Sequence, residues 1–190
     1  MTGNCSSMSE RYTPYVFAVA HDRRLANDVL DTIAHIGVKS VGMEYSEVAY
    51  REKLNNPPYD FFTDVASRLE KRGVKVVFLE SPQLTKRLRR VISNNRPDEI
   101  FGFGIHGHDQ ALIKDTVTRK LEETAKRERP EMLLVSAIHG FVLKSDLKIP
   151  KDRFFVRLVD SERTKVALRH VVDIRRFRRK RNALKRKNRI

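Results

Sequence analysis

Four residues of this 190-residue chain have types suited to a hydrolytic or metal centre. Each falls where a short apolar run ends: His21 after YVFAVA, Glu44 after SVGM, Glu80 after VVFL and His139 after MLLVSA. Imidazole and carboxylate groups move protons near neutral pH and ligate borderline divalent ions. Two imidazoles and one or two carboxylates, with no cysteine among them, suit zinc, manganese, cobalt or iron(II). An ion on His21, Glu44 and His139 would acidify a bound water, leaving the second glutamate, Glu80, as general base. The same groups without metal form an organic His–Glu acid/base pair. The glycine-rich FGFGIHGHD, residues 101–109, adds His106 and His108, and His108 is a second candidate for assisting proton transfer. His35, beside Ile36 on a helix, reads as structural, and His170, in a basic segment, reads as exposed.

The elements that must position these groups follow from periodicity. Apolar, β-branched runs at Tyr15–Ala20, Val38–Met43, Val74–Leu79, Met132–Ala137 and Phe154–Leu158 read as buried strands. Amphipathic helices are expected over 22–36, 45–54, 60–72, 82–94 and 109–128, with Gly37 and Gly73 as helix stops and Asn55-Asn56-Pro57-Pro58 as a loop. No hairpin turn signal joins consecutive strands. The expectation is an α/β fold with a mostly parallel sheet flanked by helices. In such sheets ligands sit beyond the carboxyl ends of the strands, where His21, Glu44, Glu80 and His139 fall. One polar residue after an apolar strand is ordinary, because the chain is leaving the core. Recurrence at four strand ends is what points to a site.

Charge is distributed unevenly. Lys and Arg total 39 against 24 acids, a formal net charge of +15. Ten of those cations lie in 175–190: Arg175, Arg176, Arg178, Arg179, Lys180, Arg181, Lys185, Arg186, Lys187 and Arg189, with no acid among them. Ala167, Val171, Ile174 and Phe177 precede or enter this stretch at helical spacing, which predicts a helix from about Ser161 that docks first and then runs out as a basic arm. Such an arm suits RNA or another polyanion, bound in a salt-sensitive way, with anionic lipid as a second target. The domain reading is a leader over 1–13, an α/β body over 14–160 and a basic helix over 161–190. A polar leader without an apolar core, no long apolar span and a single cysteine, Cys5, predict a soluble cytoplasmic protein without disulfides. Dinucleotide and phosphate-loop motifs, HExxH and GxSxG are absent.

The order of these pieces resembles the TraB/PrgY/TIKI family, related to erythromycin-esterase-like and ChaN-like proteins. The resemblance runs over about residues 15–145. It rests on Ala18-Val19-Ala20-His21, on SVGMEYS with Glu44 followed by Arg51, on GVKVVFLESPQLTKRLRRVI with Glu80, Thr85, Arg89 and Arg90, and on MLLVSAIHG with His139. Ala18 and Ser136 stand where the family pattern has glycine, His108 stands where it has arginine, and the membrane anchors of some members are missing. The resemblance implies a metal-dependent hydrolase, peptidase-like in one branch, with His21 and His139 as ligands and Glu44 as ligand or acid/base. Two other readings stay open: a non-catalytic RNA- or ribosome-binding protein acting through the arm, and a body that only binds a small ligand.

Overall fold

The computed structural model describes residues 12–20, 22–53, 59–80, 107–159 and 161–187. Its strands are β1 (Tyr15–Val19), β2 (Ser40–Ser46), β3 (Lys75–Glu80), β4 (Met132–Ser136) and β5 (Phe154–Arg157). All pairings are parallel, in the order β3-β2-β4-β1-β5. The helices are α1 (Ala26–Ile36), α2 (Glu47–Arg51), α3 (Tyr59–Lys71), α4 (Gly107–Glu128), α5 (Ala137–Asp146) and α6 (Ser161–Lys187). This is the α/β architecture expected from the alternation of apolar runs and amphipathic segments.

Period-two geometry sends alternate strand residues to opposite layers. Phe17, Val19, Met43 and Leu134 pack on one face with Val29, Ile33, Phe62 and Leu69 of α1 and α3. Val16, Leu79, Leu133 and Val135 pack on the other with Val117, Leu121 and Leu143 of α4 and α5. With helices on both faces, each strand is apolar at nearly every position, which is why these strands lack polar alternation. Gly37 ends α1 at φ +76°, a left-handed cap that glycine adopts without Cβ strain. Gly140 acts through close packing. A Cβ there would come within 2.5 Å of the Ala18 Cβ, so its absence lets α5 lie directly on β1.

The strand order sets where a ligand crevice opens. The chain leaves β2 outward to β3, then returns to place β4 between β2 and β1 and moves on to β5. β2 and β4 are therefore neighbours whose outgoing connections diverge, the point where open α/β sheets leave a crevice at their carboxyl edge.

Two expectations change in detail. β2 continues through Glu44 to Ser46, so Glu44 lies within the strand and not past it. The MLLVSAIHG run is a five-residue strand followed directly by α5, so His139 stands in the first turn of a helix. The expected helix over 82–94 and His106 lie outside the described residues.

The docking of α6 follows the predicted face. Val171 and Ile174 are buried against Val142, flanked by Ile138 and Phe141. Arg178, read from the sequence as part of the cationic arm, is an anchor. Its guanidinium bonds the fully buried Asp115 of α4 and donates to both carboxylate oxygens of Asp146 on α5, at 2.7 and 2.9 Å. Among the described residues no helix is long and apolar enough to cross a membrane.

Candidate functional site

Glu44 ends the regular part of β2. Pairing between β2 and β4 runs from Val41–Met132 to Met43–Leu134, and the register with β3 shifts between Met43 and Ser46. Irregularities of this kind re-aim a side chain at a sheet edge. The Glu44 carboxylate turns into the β2/β4 crevice, where Oε2 accepts the Ser136 backbone N–H at 2.6 Å and Oε1 accepts the Ser136 hydroxyl at 3.3 Å. Ser136 is the N-cap of α5, so the carboxylate also sits at the positive end of that helix.

His139, on the first turn of α5, meets the same carboxylate: its Nε2 lies 3.3 Å from Glu44 Oε1. Its other nitrogen, Nδ1, lies 2.6 Å from the hydroxyl of Thr118 on α4. That hydroxyl has one hydrogen and also lies 2.8 Å from the Lys114 carbonyl, which can only accept. With the Thr118 hydrogen on the carbonyl, Nδ1 carries the imidazole proton and Nε2 presents a bare lone pair to Glu44. With the hydrogen on Nδ1, Nε2 is protonated and faces the carboxylate as a donor. One proton shift converts a seat for a cation into a closed Glu–His pair. Glu44 is 9 % and His139 7 % exposed, so the pair is largely shielded yet reached by solvent.

Charges around the pair come from two further elements. Burial pushes the His139 imidazole below its ordinary pKa; Glu44 opposes that shift and Lys114 adds to it. Lys114, one turn before Thr118, is itself pulled down to about 8, chiefly by burial, with Asp173 of α6 pulling the other way. His170 on α6 is half-buried, not exposed as its basic surroundings suggest. Burial, then Lys114, lowers its pKa, and Asp173 opposes them.

Of the residues singled out from the sequence, Glu44 and His139 are brought together. Glu80 reaches the same edge, opposite Ser46 in the β2–β3 pairing, and is half-buried. His21 and the side chain of His108 lie outside the described residues; the His108 backbone belongs to the first turn of α4. No three His, Cys, Asp or Glu side chains form a metal-ligand group among the described residues. Thr118, Ser136 and Lys114 were not anticipated. The available signal was a threonine and a lysine one turn apart beside the apolar Val117, Leu121 and Ala125 face of α4. A separate open cleft of about 710 Å³ lies at the amino ends of the strands, where Arg129 and Arg153 cover the rings of Tyr12 and Tyr15.

Comparison of the chain with protein-family models, with curated proteins and with solved structures finds no match.

Proposed function

We propose that this protein is a divalent-metal-dependent hydrolase whose reaction centre lies in the β2/β4 crevice, with Glu44 and His139 as ligands and His21 as the third. The observation that carries this reading is the 3.3 Å between His139 Nε2 and Glu44 Oε1. Two adjacent ligands of a tetrahedral ion with bonds of about 2.0–2.1 Å stand about 3.3 Å apart, so the pair fits such an ion without rearrangement. Thr118 and Ser136 add the outer bonds that ligands of this kind need: one fixes the imidazole ring and the other the carboxylate. Zinc, manganese, cobalt or iron, when bound, would supply an acidified water. Glu80, at the end of β3 opposite Ser46, would take a proton from that water, with His108 as the alternative.

Metal analysis of protein purified without a histidine tag tests the reading. About one equivalent of divalent metal is expected in the wild type and none in Glu44→Gln or His139→Gln, with circular dichroism confirming the fold of each variant. A wild type as metal-free as its variants after incubation with zinc or manganese would rule it out.

A second reading, binding of RNA or another polyanion, is favoured by the far part of α6. Arg175, Arg176, Arg179 and Lys180 are exposed on a helix held to the body by Arg178. The two readings are compatible, because the arm and the crevice share no residue.

A further inference from the structure

We propose that the cleft at the amino ends of β4, β1 and β5 is a binding site for a short peptide with free termini. It lies at the opposite end of the sheet from the β2/β4 crevice, so it stands whether or not that crevice holds a metal.

Three segments build the cleft where the chain enters neighbouring strands: 12–15 at β1, 129–131 at β4 and 150–153 at β5. Side chains fasten these segments together. The Tyr12 hydroxyl donates to the Pro130 carbonyl at 2.8 Å, and Arg153 Nη1 donates to the Thr13 carbonyl at 2.7 Å. The cleft volume of about 710 Å³ falls within the range of about 300–1,000 Å³ usual for small-molecule sites.

Arg153 is the cation that this framework orients. Its guanidinium lies 5.1 Å from the centre of the Tyr15 ring and makes no ion pair among the described residues. A guanidinium held over a ring and tied at one nitrogen has little freedom left to lose on binding. Its remaining N–H groups keep the fork geometry that takes a carboxylate. Arg129, 5.7 Å from the centre of the Tyr12 ring, adds a second positive charge to the same cleft.

The cleft also carries acids. Asp152 is exposed and pairs with no cation among the described residues, while Glu131 accepts the Lys39 backbone N–H at 2.9 Å. Carboxylates beside the two guanidiniums disfavour a polyanion, which they would repel. A ligand with a carboxylate at one end and an ammonium at the other uses both signs of charge. Tyr12, Pro14, Tyr15 and Pro130 supply apolar surface for the side chains between. A short peptide has this chemistry: its carboxylate would pair with Arg153 and its ammonium with Asp152.

Titration calorimetry of the full-length protein tests the assignment, with alanyl-phenylalanyl-alanine as the probe. Saturable binding in the millimolar range or tighter is expected. Amidating the peptide carboxylate should weaken binding tenfold or more in the wild type. In Arg153→Met, already weakened by that factor, amidation should change nothing. Acetylating the amino group should pair in the same way with Asp152→Asn, a change at an exposed position, and circular dichroism checks both folds. Amide resonances of Thr13, Glu131 and Arg153 should shift on binding, and those of Ser136 and His139 should not. Absence of saturable binding, indifference to amidation, an undiminished amidation effect in Arg153→Met or an undiminished acetylation effect in Asp152→Asn would each overturn the proposal. So would displacement of the peptide by inorganic phosphate, or free phenylalanine binding as tightly as the peptide.

Discussion

The Glu44 carboxylate accepts the Ser136 backbone N–H at 2.6 Å across 92 residues of chain. A side chain of β2 thereby occupies a donor at the end of β4, just past the last backbone pairing of the two strands. The same carboxylate meets His139 three residues farther along α5. The crevice is lined by an acid and a base 3.3 Å apart because one carboxylate serves both the sheet edge and the helix.

His139 should make stability pH-dependent. In the unfolded chain imidazole takes up a proton near pH 6.5, whereas burial lowers that pKa in the folded protein. Below 6.5 the unfolded state therefore binds a proton that the folded state does not, and stability falls as pH drops. The slope is at most about 1.4 kcal/mol per pH unit for one such group. Urea melts at pH 7.5, 6.5 and 5.5 should show a shallower loss in His139→Gln, with His170 accounting for part of what remains. An unaltered slope would mean that the buried imidazole is not the cause.

Thr118→Val removes the only hydroxyl on His139 Nδ1 among the described residues while keeping the volume of the side chain. A buried ring nitrogen left without its partner costs about 1–3 kcal/mol. If the ring also holds metal, affinity should fall roughly 10–100-fold, as for other lost outer bonds. Denaturant midpoints and metal titration of the same variant check both. A variant as stable as wild type would show that the Thr118 bond contributes nothing.

Gly140→Ala should push α5 off β1, since the added methyl would stand 2.5 Å from the Ala18 Cβ. Overpacking of this kind costs roughly 1–3 kcal/mol. The loss should be partly recovered in the double variant with Ala18→Gly, although glycine in a strand itself costs about 0.5–1 kcal/mol. A double-mutant cycle of thermal melts reads the coupling. Strict additivity of the two changes would contradict the close approach.

Arg178→Met takes the Arg178 guanidinium away from the fully buried Asp115, which keeps Arg119 at 3.4 Å. Breaking a buried ion pair on one side costs about 3–5 kcal/mol. Amide exchange along α6 should accelerate in this variant, while Arg179→Met, on an exposed position, should behave as wild type. Equal exchange in both variants would mean that α6 is held by Val171 and Ile174 alone.

The arm reading has its own signature. Truncation after Lys180 removes Arg181, Lys185, Arg186, Lys187 and Arg189 but keeps the Arg178 anchor. Binding to single-stranded RNA should weaken, and its salt slope should shrink by about 0.7 for every phosphate that the shortened helix no longer neutralises. Fluorescence anisotropy across a salt series measures this, and an identical slope would exclude the arm as the RNA-binding surface.

Local pattern was enough for the five strands and for every described helix except α5, which the sequence reading did not anticipate. β-branched runs such as VKVVFL cannot bury their side chains without strand pairing and cover on both faces, so the parallel α/β class was legible from the chain alone. Periodicity likewise located the α6 face at Val171 and Ile174, which pack as expected. Periodicity was less informative at strand ends: β2 ran on past Glu44, and α5 began at once after Ser136, because nothing in the sequence separates the last strand residue from the first helical one.

The tertiary structure alone decided which strand ends meet. Glu44 and His139 are neighbours because the return from β3 inserts β4 between β2 and β1, a choice made by crossover connections and layer packing and not by any short-range preference. The same packing turned Thr118 toward the crevice and made an anchor of Arg178, one of ten cations that the sequence presents as equivalent. Composition fixes how much charge the chain carries; only its neighbours in space determine which charge is free and which is held.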